Sequence, residues 1–337
     1  MNQEIIVELG NVHEGSVGIA KSLIDMVALT GADIVKFQMH LAEFEGLPAE
    51  PFRVKFSDQD TTRSQYWNRV NFSENHWRLL SDYATSKGLE FLCTPFSKQA
   101  AQSLLKNTEI KRWKLGSGDA SNFPLIDFLA GTELPIIIST GLVSEPEIER
   151  LVSRLEFLGI KESTVLMHCV SQYPTPLEKS ALHLIDYLKS TGCKVGLSDH
   201  SGQIATALFG LSKGIQILEI HLTPHKLFFG PDVSSSLETQ EIQTIVDFRN
   251  SLNLIRSSES VTRNQLYTEA ESIRPIFRKG VYWSQDLQPG HVVTLNDLVF
   301  LKPCSGIDAI DFEQVLGKRL TTSVCLKNPV NWSELDV

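Results

Sequence analysis

His200 and His221 end two β-rich segments, 194–201 (KVGLSDHS) and 216–223 (QILEIHLT), and each stands close to a carboxylate. Neutral imidazole is a common ligand for divalent metals, and the ends of neighbouring strands can bring two such rings to one ion. Two nitrogen ligands leave most of the coordination sphere to water and substrate oxygens. That suits Mn2+ or Mg2+ better than a closed structural zinc site. Lys36 and Lys114 end two further segments and offer positive charge to a phosphate or carboxylate. The hydroxyls of Thr94, Ser117, Ser139 and Ser198 stand at comparable places, and the loop Lys114-Leu115-Gly116-Ser117-Gly118-Asp119 gives an anion access to backbone N–H groups. That loop lacks the GxxxxGK[ST] spacing of a nucleotide P-loop, so its glycines alone read as chain geometry. Glu8, Asp119, Glu219 and Asp232 add carboxylates for proton transfer or for orienting a metal-bound water.

These residues need a scaffold that gathers many strand ends at one place. Eight short β-rich runs satisfy that need: 4–8, 34–38, 90–94, 112–115, 135–139, 164–169, 194–198 and 216–221. The clearest amphipathic helices between them span 18–30, 74–86, 97–106, 145–158 and 202–212, and strands alternating with helices make a parallel sheet covered by helices. Eight such units predict a (β/α)8 barrel, an architecture that places its chemistry at the carboxyl ends of the strands. Most of the residues named above occupy those ends, where ionisable groups are costly unless paired or used. A long insertion at 40–72, carrying Arg53, Lys55, Arg63 and Arg69 among aromatics and prolines, is expected to shape the site.

The chain of 337 residues suits one barrel plus an appendage. We place the barrel at 1–257, a polar linker at 258–272, and a small β-rich module at 273–337, with a tight turn at Pro289-Gly290. Composition is ordinary for a globular protein, with 42% hydrophobic and 21% charged residues, and no apolar run reaches membrane-spanning length. The first residues show no secretion signal, which predicts a cytoplasmic location. Five widely spaced cysteines (Cys93, Cys169, Cys193, Cys304, Cys325) without a CxxC pair predict reduced thiols. A net charge of −9 argues against a nucleic-acid partner.

The strings VELGNVHEGS, GADIVKFQMH, FLCTPFS, KLGSGDASNFP, IIISTG, HCVSQYPTP, GLSDHS and LEIHLT, in this order and spacing, resemble the sialic acid synthase family over essentially the whole chain. The tail, FRKGVYWSQDLQPGHVVTLNDLVFLKP with a later VLGKRL, is similar to that family's antifreeze-like (SAF) domain. The resemblance implies condensation of phosphoenolpyruvate with the open-chain aldehyde of an N-acetylated sugar, giving a nine-carbon 2-keto acid and phosphate by C–O cleavage. It implies that His200 and His221 hold Mn2+ or a similar ion, and that Lys36, Thr94, Lys114, Ser117, Ser139 and Ser198 grip phosphoenolpyruvate. Glu8 or Asp119 would guide the water that reaches C2, with a metal-bound water as the competing source. Glu219 and Asp232 would orient the metal shell and sugar hydroxyls, while Gln38 and Tyr173 would line the sugar pocket. In this family the tail caps the barrel of the partner subunit, which implies a domain-swapped homodimer.

Three departures bear on these roles. The family's Asn-His pair after the first strand reads Val12-His13 here, with Asn11 one place earlier. Asp119 stands where Glu is common, shortening the arm by one methylene. Lys302-Pro303-Cys304 stands where the tail carries an arginine that contacts the sugar, and Lys lacks the planar fork of Arg. Two other classes remain open at this point. A metal-dependent barrel amidohydrolase needs more histidine ligands than this pair, and a non-catalytic carbohydrate-binding protein would be expected to lose one of the lysines or histidines.

Overall fold

Uninterrupted apolar runs such as Ile5-Ile6-Val7 and Ile136-Ile137-Ile138 leave both faces of a strand in need of cover, which a parallel sheet wrapped in helices supplies. The computed structural model describes residues 3–52, 56 and 58–336. Its strands are β1 (Glu4–Glu8), β2 (Ile34–Met39), β3 (Glu90–Pro95), β4 (Trp113–Leu115), β5 (Ile136–Ser139), β6 (Thr164–Cys169), β7 (Lys194–Asp199) and β8 (Ile217–Leu222). They are parallel and run β3-β2-β1-β8-β7-β6-β5-β4. β3 and β4 lie side by side and bring the ring round, so this unit is a (β/α)8 barrel. A two-residue strand, β9 (Ser236–Leu237), adds to β8. Alternation along each strand puts Lys36 with Gln38, and Glu219 with His221, on shared faces.

The helices start where polar caps allow. Ser16, Ser73 and Ser97 each accept a backbone N–H from the first turn of helices Val17–Thr30, Glu74–Ser86 and Lys98–Asn107. The helix expected from residue 202 begins at Ile204, because Gly202 has φ 65° and Gln203 is extended. Helices Phe123–Ala130 and Leu184–Ser190 complete units for which the sequence offered no clear helix. β4 is shorter than expected. Arg112 leaves the ladder and its guanidinium bonds Glu4 at 2.7 and 2.9 Å and Glu90 at 2.8 Å, tying three strand starts together. Nearby, buried Arg249 from the helix Thr239–Ser257 pairs with Asp33 at 2.5 Å and donates to the Gln3 carbonyl at 3.1 Å.

Among the described residues the insertion after β2 holds two helices, Ala42–Glu45 and Arg63–Val70. Ala42, Tyr66, Trp67 and Val70 form a small core of their own, with Phe52 and Phe56 against it. Of its basic residues, Arg53 and Lys55 lie outside the described residues. Arg63 pairs with Glu50 at 2.5 Å, and Arg69 with Asp60 and Glu14, both at 2.7 Å.

The second unit, Ser257–Val337, contains an antiparallel pair, β10 (Gly280–Trp283) and β11 (Leu298–Leu301). Its core gathers Val281, Trp283, Val293, Val315, Leu320 and Val330. The turn at Pro289-Gly290 forms, with Gly290 at φ 89° and its N–H on the Leu320 carbonyl at 2.7 Å. The stretch expected as a linker carries a helix, Arg263–Glu269, opened by a Thr262/Gln265 capping box. Among the described residues no helix is long and apolar enough to cross a membrane.

Candidate active site

The carboxyl ends of the barrel strands surround a cavity of about 440 Å³. Two lysines define its floor. Lys36 Nζ lies 2.5 Å from Glu8 Oε2 and 3.7 Å from Glu219 Oε1, and donates to Thr94 Oγ1 at 3.2 Å. Lys114 Nζ donates to Ser139 Oγ at 2.7 Å and lies 3.6 Å from Glu219 Oε2. Ser198 Oγ donates to Glu219 Oε1 at 3.0 Å. Lys36 is 3% exposed and Lys114 1%, so neither ammonium can lean on solvent.

Identical side chains are driven apart by their partners. Burial pulls both lysines down. At Lys36 it is outweighed by Glu219 and Glu8, which raise the ammonium above its ordinary value. At Lys114 burial wins and the group is lowered. Burial alone would raise the Glu219 carboxyl, but Lys114 and Lys36, then His221 and His200, hold it below the ordinary range. The floor is therefore a balanced set of charges that an incoming anion would reorganise. Among the described residues Glu219 Oε2 has no hydrogen-bond partner of its own.

The two histidines meet on the adjacent wall. Their ring centroids are 5.1 Å apart, and Tyr173 lies 4.2 Å from the His200 ring. His200 Nδ1 donates to the Val170 carbonyl at 3.2 Å, which leaves the ring's lone pair on Nε2. Burial, with His221 beside it, lowers His200 to about 3, so the ring is neutral as a ligand must be. No group of three His, Cys, Asp or Glu able to hold a metal ion occurs among the described residues. The donor set thus fits an ion that keeps most of its sphere for water or substrate, and does not fit a closed structural site. Cys169 also reaches the cavity, with Sγ 3.6 Å from both Ser117 Oγ and His200 Nδ1, and burial pushes its thiol up. A raised thiol is a poor nucleophile.

Beyond the floor the walls change character. Gln38, Asn11, His40, Trp67, Phe96 and Asp232 bound the outer part. Gln38 Nε2 donates to Glu8 Oε1 at 2.8 Å, and the same oxygen accepts from Gly10 N at 2.8 Å. Gly10 makes that turn at φ 55°. Gly141 carries no Cβ for a different reason: one would lie 2.6 Å from Ser171 Oγ and 2.9 Å from the Cys169 carbonyl. Its N–H instead bonds Ser117 Oγ at 3.0 Å.

Most of the residues expected from sequence converge here. Lys36, Gln38, Thr94, Lys114, Ser117, Ser139, Tyr173, Ser198, His200, Glu219, His221 and Asp232 all line the cavity, and Glu8 backs it through Lys36 and Gln38. Asp119 does not line it. The carboxylate accepts from Asn122 Nδ2 at 2.9 Å in the turn Ser117–Asp119, and burial raises it. Lys302 belongs to the second unit, where its ammonium sits 5.7 Å from the Phe277 ring centroid. Asn11 takes the cavity position, whereas His13 turns into the core against Phe72 at 4.6 Å, is lowered to about 3 by burial, and accepts from Gly15 N. Sequence reasoning missed His40, Trp67 and Phe96. The run Gln38-Met39-His40, with polar residues two apart at a strand end, was the available signal for the first of them.

Comparison with known proteins agrees with this geometry. Residues 23–260 match the NeuB family and residues 278–332 the SAF domain. The chain belongs to the NeuB family. It is similar to an N,N'-diacetyllegionaminic acid synthase from Campylobacter jejuni, 30% identical over 94% of this chain and 95% of that one. A second protein of that name, from Legionella pneumophila, is 28% identical over 98% of this chain and 94% of that one. The crystal structure of an N-acetylneuraminic acid (sialic acid) synthetase from Leptospira borgpetersenii, in complex with citrate, superposes with a TM-score of 0.69 at 27% identity. That superposition covers 81% of this chain and 92% of the other. As a NeuB-family member the protein is an enzyme, which removes the amidohydrolase and binding-protein alternatives.

Proposed function

We propose that the enzyme condenses phosphoenolpyruvate with the aldehyde of an N-acetylated hexosamine, such as N-acetylmannosamine or a 2,4-diacetamido-6-deoxy hexose. The product is a sialic acid-like nonulosonic acid, with phosphate released by C–O cleavage. The observation that carries this reading is the pair of buried lysines sharing Glu219 beneath a ring of hydroxyls. Such a floor suits a small anion bearing more than one charge, which would compete with Glu8 and Glu219 for the two ammonium groups.

In this reading Lys36 and Lys114 bind the carboxylate and phosphate, with Thr94, Ser117, Ser139 and Ser198 completing the anion shell. Gln38, Tyr173 and Asp232 orient the sugar so that its C1 meets C3 of phosphoenolpyruvate, and holding both reactants in register supplies much of the acceleration. The new bond joins C3 to C1, water adds at C2, and phosphate leaves with the C2 oxygen it carried. Glu8 is the better placed carboxylate to guide that water. It touches Lys36 and Gln38, both of which line the cavity, whereas the Asp119 carboxylate is bonded to Asn122. A divalent ion, Mn2+ first and Mg2+ or Co2+ as substitutes, would be held by His200 and His221 and would polarise the aldehyde as a Lewis acid. The reading includes a homodimer and a cytoplasmic location. Lys302 remains a sugar contact only within this proposal.

Phosphate release from phosphoenolpyruvate with Mn2+, across a panel of N-acetylated hexosamines and their 6-phosphates, tests it. Release with one acceptor, lost in a His200→Ala/His221→Ala double variant, is the expected result. A folded enzyme that releases no phosphate with any acceptor contradicts it. Sedimentation in the same buffer reads the dimer.

A further inference from the structure

His40 follows β2 directly and lines the outer cavity, yet none of the roles above uses it. Its ring is fixed in place by stacking: Trp67 at 4.7 Å and 8°, Phe96 at 4.3 Å and 11°. Two parallel rings this close must take opposite faces, so the imidazole can present only its edges. Nδ1 lies 2.9 and 2.8 Å from the two oxygens of Glu45, and Nε2 lies 3.0 Å from Gln38 Oε1.

The direction of every bond in this chain follows from its far end. Glu8 Oε1 already accepts from Gly10 N, and a carboxylate paired with Lys36 has no proton to give. Gln38 must therefore turn its NH2 toward Glu8, which turns its carbonyl toward His40. His40 Nε2 faces an acceptor and must donate. Nδ1 faces a carboxylate and must donate as well. We infer that His40 is a positioning residue that acts as a double donor, anchored on Glu45, and together with Glu8 fixes the amide of Gln38 in one of its two flip states.

The consequence for specificity can be counted. A primary amide has two N–H donors and two carbonyl lone pairs. Glu8 takes one donor and His40 one lone pair, so Gln38, which lines the cavity, keeps one donor and one acceptor uncommitted. One donor and one acceptor can serve the C=O of an acetamido group and a neighbouring hydroxyl of the acceptor in the proposed reaction. Without the His40 donor only Glu8 would oppose the flipped amide, whose carbonyl would then face a carboxylate. This inference rests on the proposed condensation for its choice of ligand, but not for the state of His40.

The test separates the two. His40→Phe keeps the aromatic stack and removes both donors. It is expected to raise KM for the acceptor roughly tenfold while leaving KM for phosphoenolpyruvate within about twofold. In a Gln38→Ala background, where there is no amide left to hold, the same change should add less than about twofold. Long-range 1H–15N correlation on the unliganded enzyme, with the His40 signals assigned by their loss in His40→Phe, should show both ring nitrogens protonated. Equal loss of affinity for both substrates, additive effects in the double variant, or an unprotonated Nε2 would each overturn the inference. If the wild type turns over no acceptor, the condensation reading fails by itself, and the nitrogen signals still decide the role of His40.

Discussion

The two ends of the barrel use the same chemistry to opposite purposes. At the amino ends of the strands, Arg112 binds Glu4 and Glu90, and Arg249 binds Asp33, each cation meeting carboxylates in a geometry that leaves little to gain from a ligand. At the carboxyl ends Lys36 is paired with Glu8 at 2.5 Å, but Lys114 meets its carboxylate, Glu219, only at 3.6 Å and Lys36 shares that carboxylate at 3.7 Å, distances of charge contact rather than of a finished hydrogen bond. Planar guanidinium forks fasten one end, while point charges on flexible stems are held ready at the other. The difference teaches how to separate structural from chemical charge in a barrel: by whether the partners satisfy each other, rather than by burial.

Removing a charge at the upper end should strike activity first. Lys114→Met is expected to cut kcat/KM for phosphate release about 10³-fold, with the circular dichroism of the folded protein unchanged. An active Lys114→Met would mean that the floor is structural and the comparison wrong. Arg249→Met should do the reverse: lower stability by roughly 3 kcal/mol in urea titration, since Asp33 loses its partner, and leave kcat/KM of the folded enzyme within about twofold. A loss of turnover without a loss of stability there would erase the distinction.

The second unit extends the comparison to an acid placed for structure. Burial would raise the Asp297 carboxyl, but His291, Thr294 and Gln285 outweigh it and hold the group well below its ordinary 3.8. A depressed pKa contributes stability that is fully present above about 3.8 and fades as the pH falls through the lowered value. Asp297→Asn should therefore cost about 1–2 kcal/mol near neutrality, with the difference from wild type shrinking in acid. An undiminished difference at low pH would show that packing, not charge, is what Asp297 supplies. The smallest effect is expected at Cys169. Cys169→Ala should retain activity within a few-fold, and thiol reagents should inactivate the wild type slowly, because the buried thiol is raised.

Strand-end residues were legible in the sequence because a period of two and a parallel barrel leave them few places to go. Lys36, Gln38, Glu219 and His221 all fell where that logic put them. Helices were legible where a serine cap precedes an apolar stripe, and the helix Arg263–Glu269 could have been read from its Thr-x-x-Gln box. What escaped is set by distance along the chain. Arg112 finds Glu4 across 108 residues, and no local pattern announces it. The stack of Trp67 and Phe96 on His40 joins an insertion helix to the loop after β3, so the role of His40 emerges only once both are folded. Asp119 lies in a turn of 3-10 helix and does not line the cavity, a detail too fine for a motif to fix.

The central claim is that the upper end of the barrel carries out a condensation in which phosphoenolpyruvate loses phosphate by C–O cleavage. Phosphoenolpyruvate carrying 18O in the bridge between C2 and phosphorus tests it directly, with the released phosphate read by mass spectrometry. The account predicts that all of the label leaves with phosphate, and only when the acceptor sugar is present. Label retained in the organic product, or phosphate released without an acceptor, would contradict it.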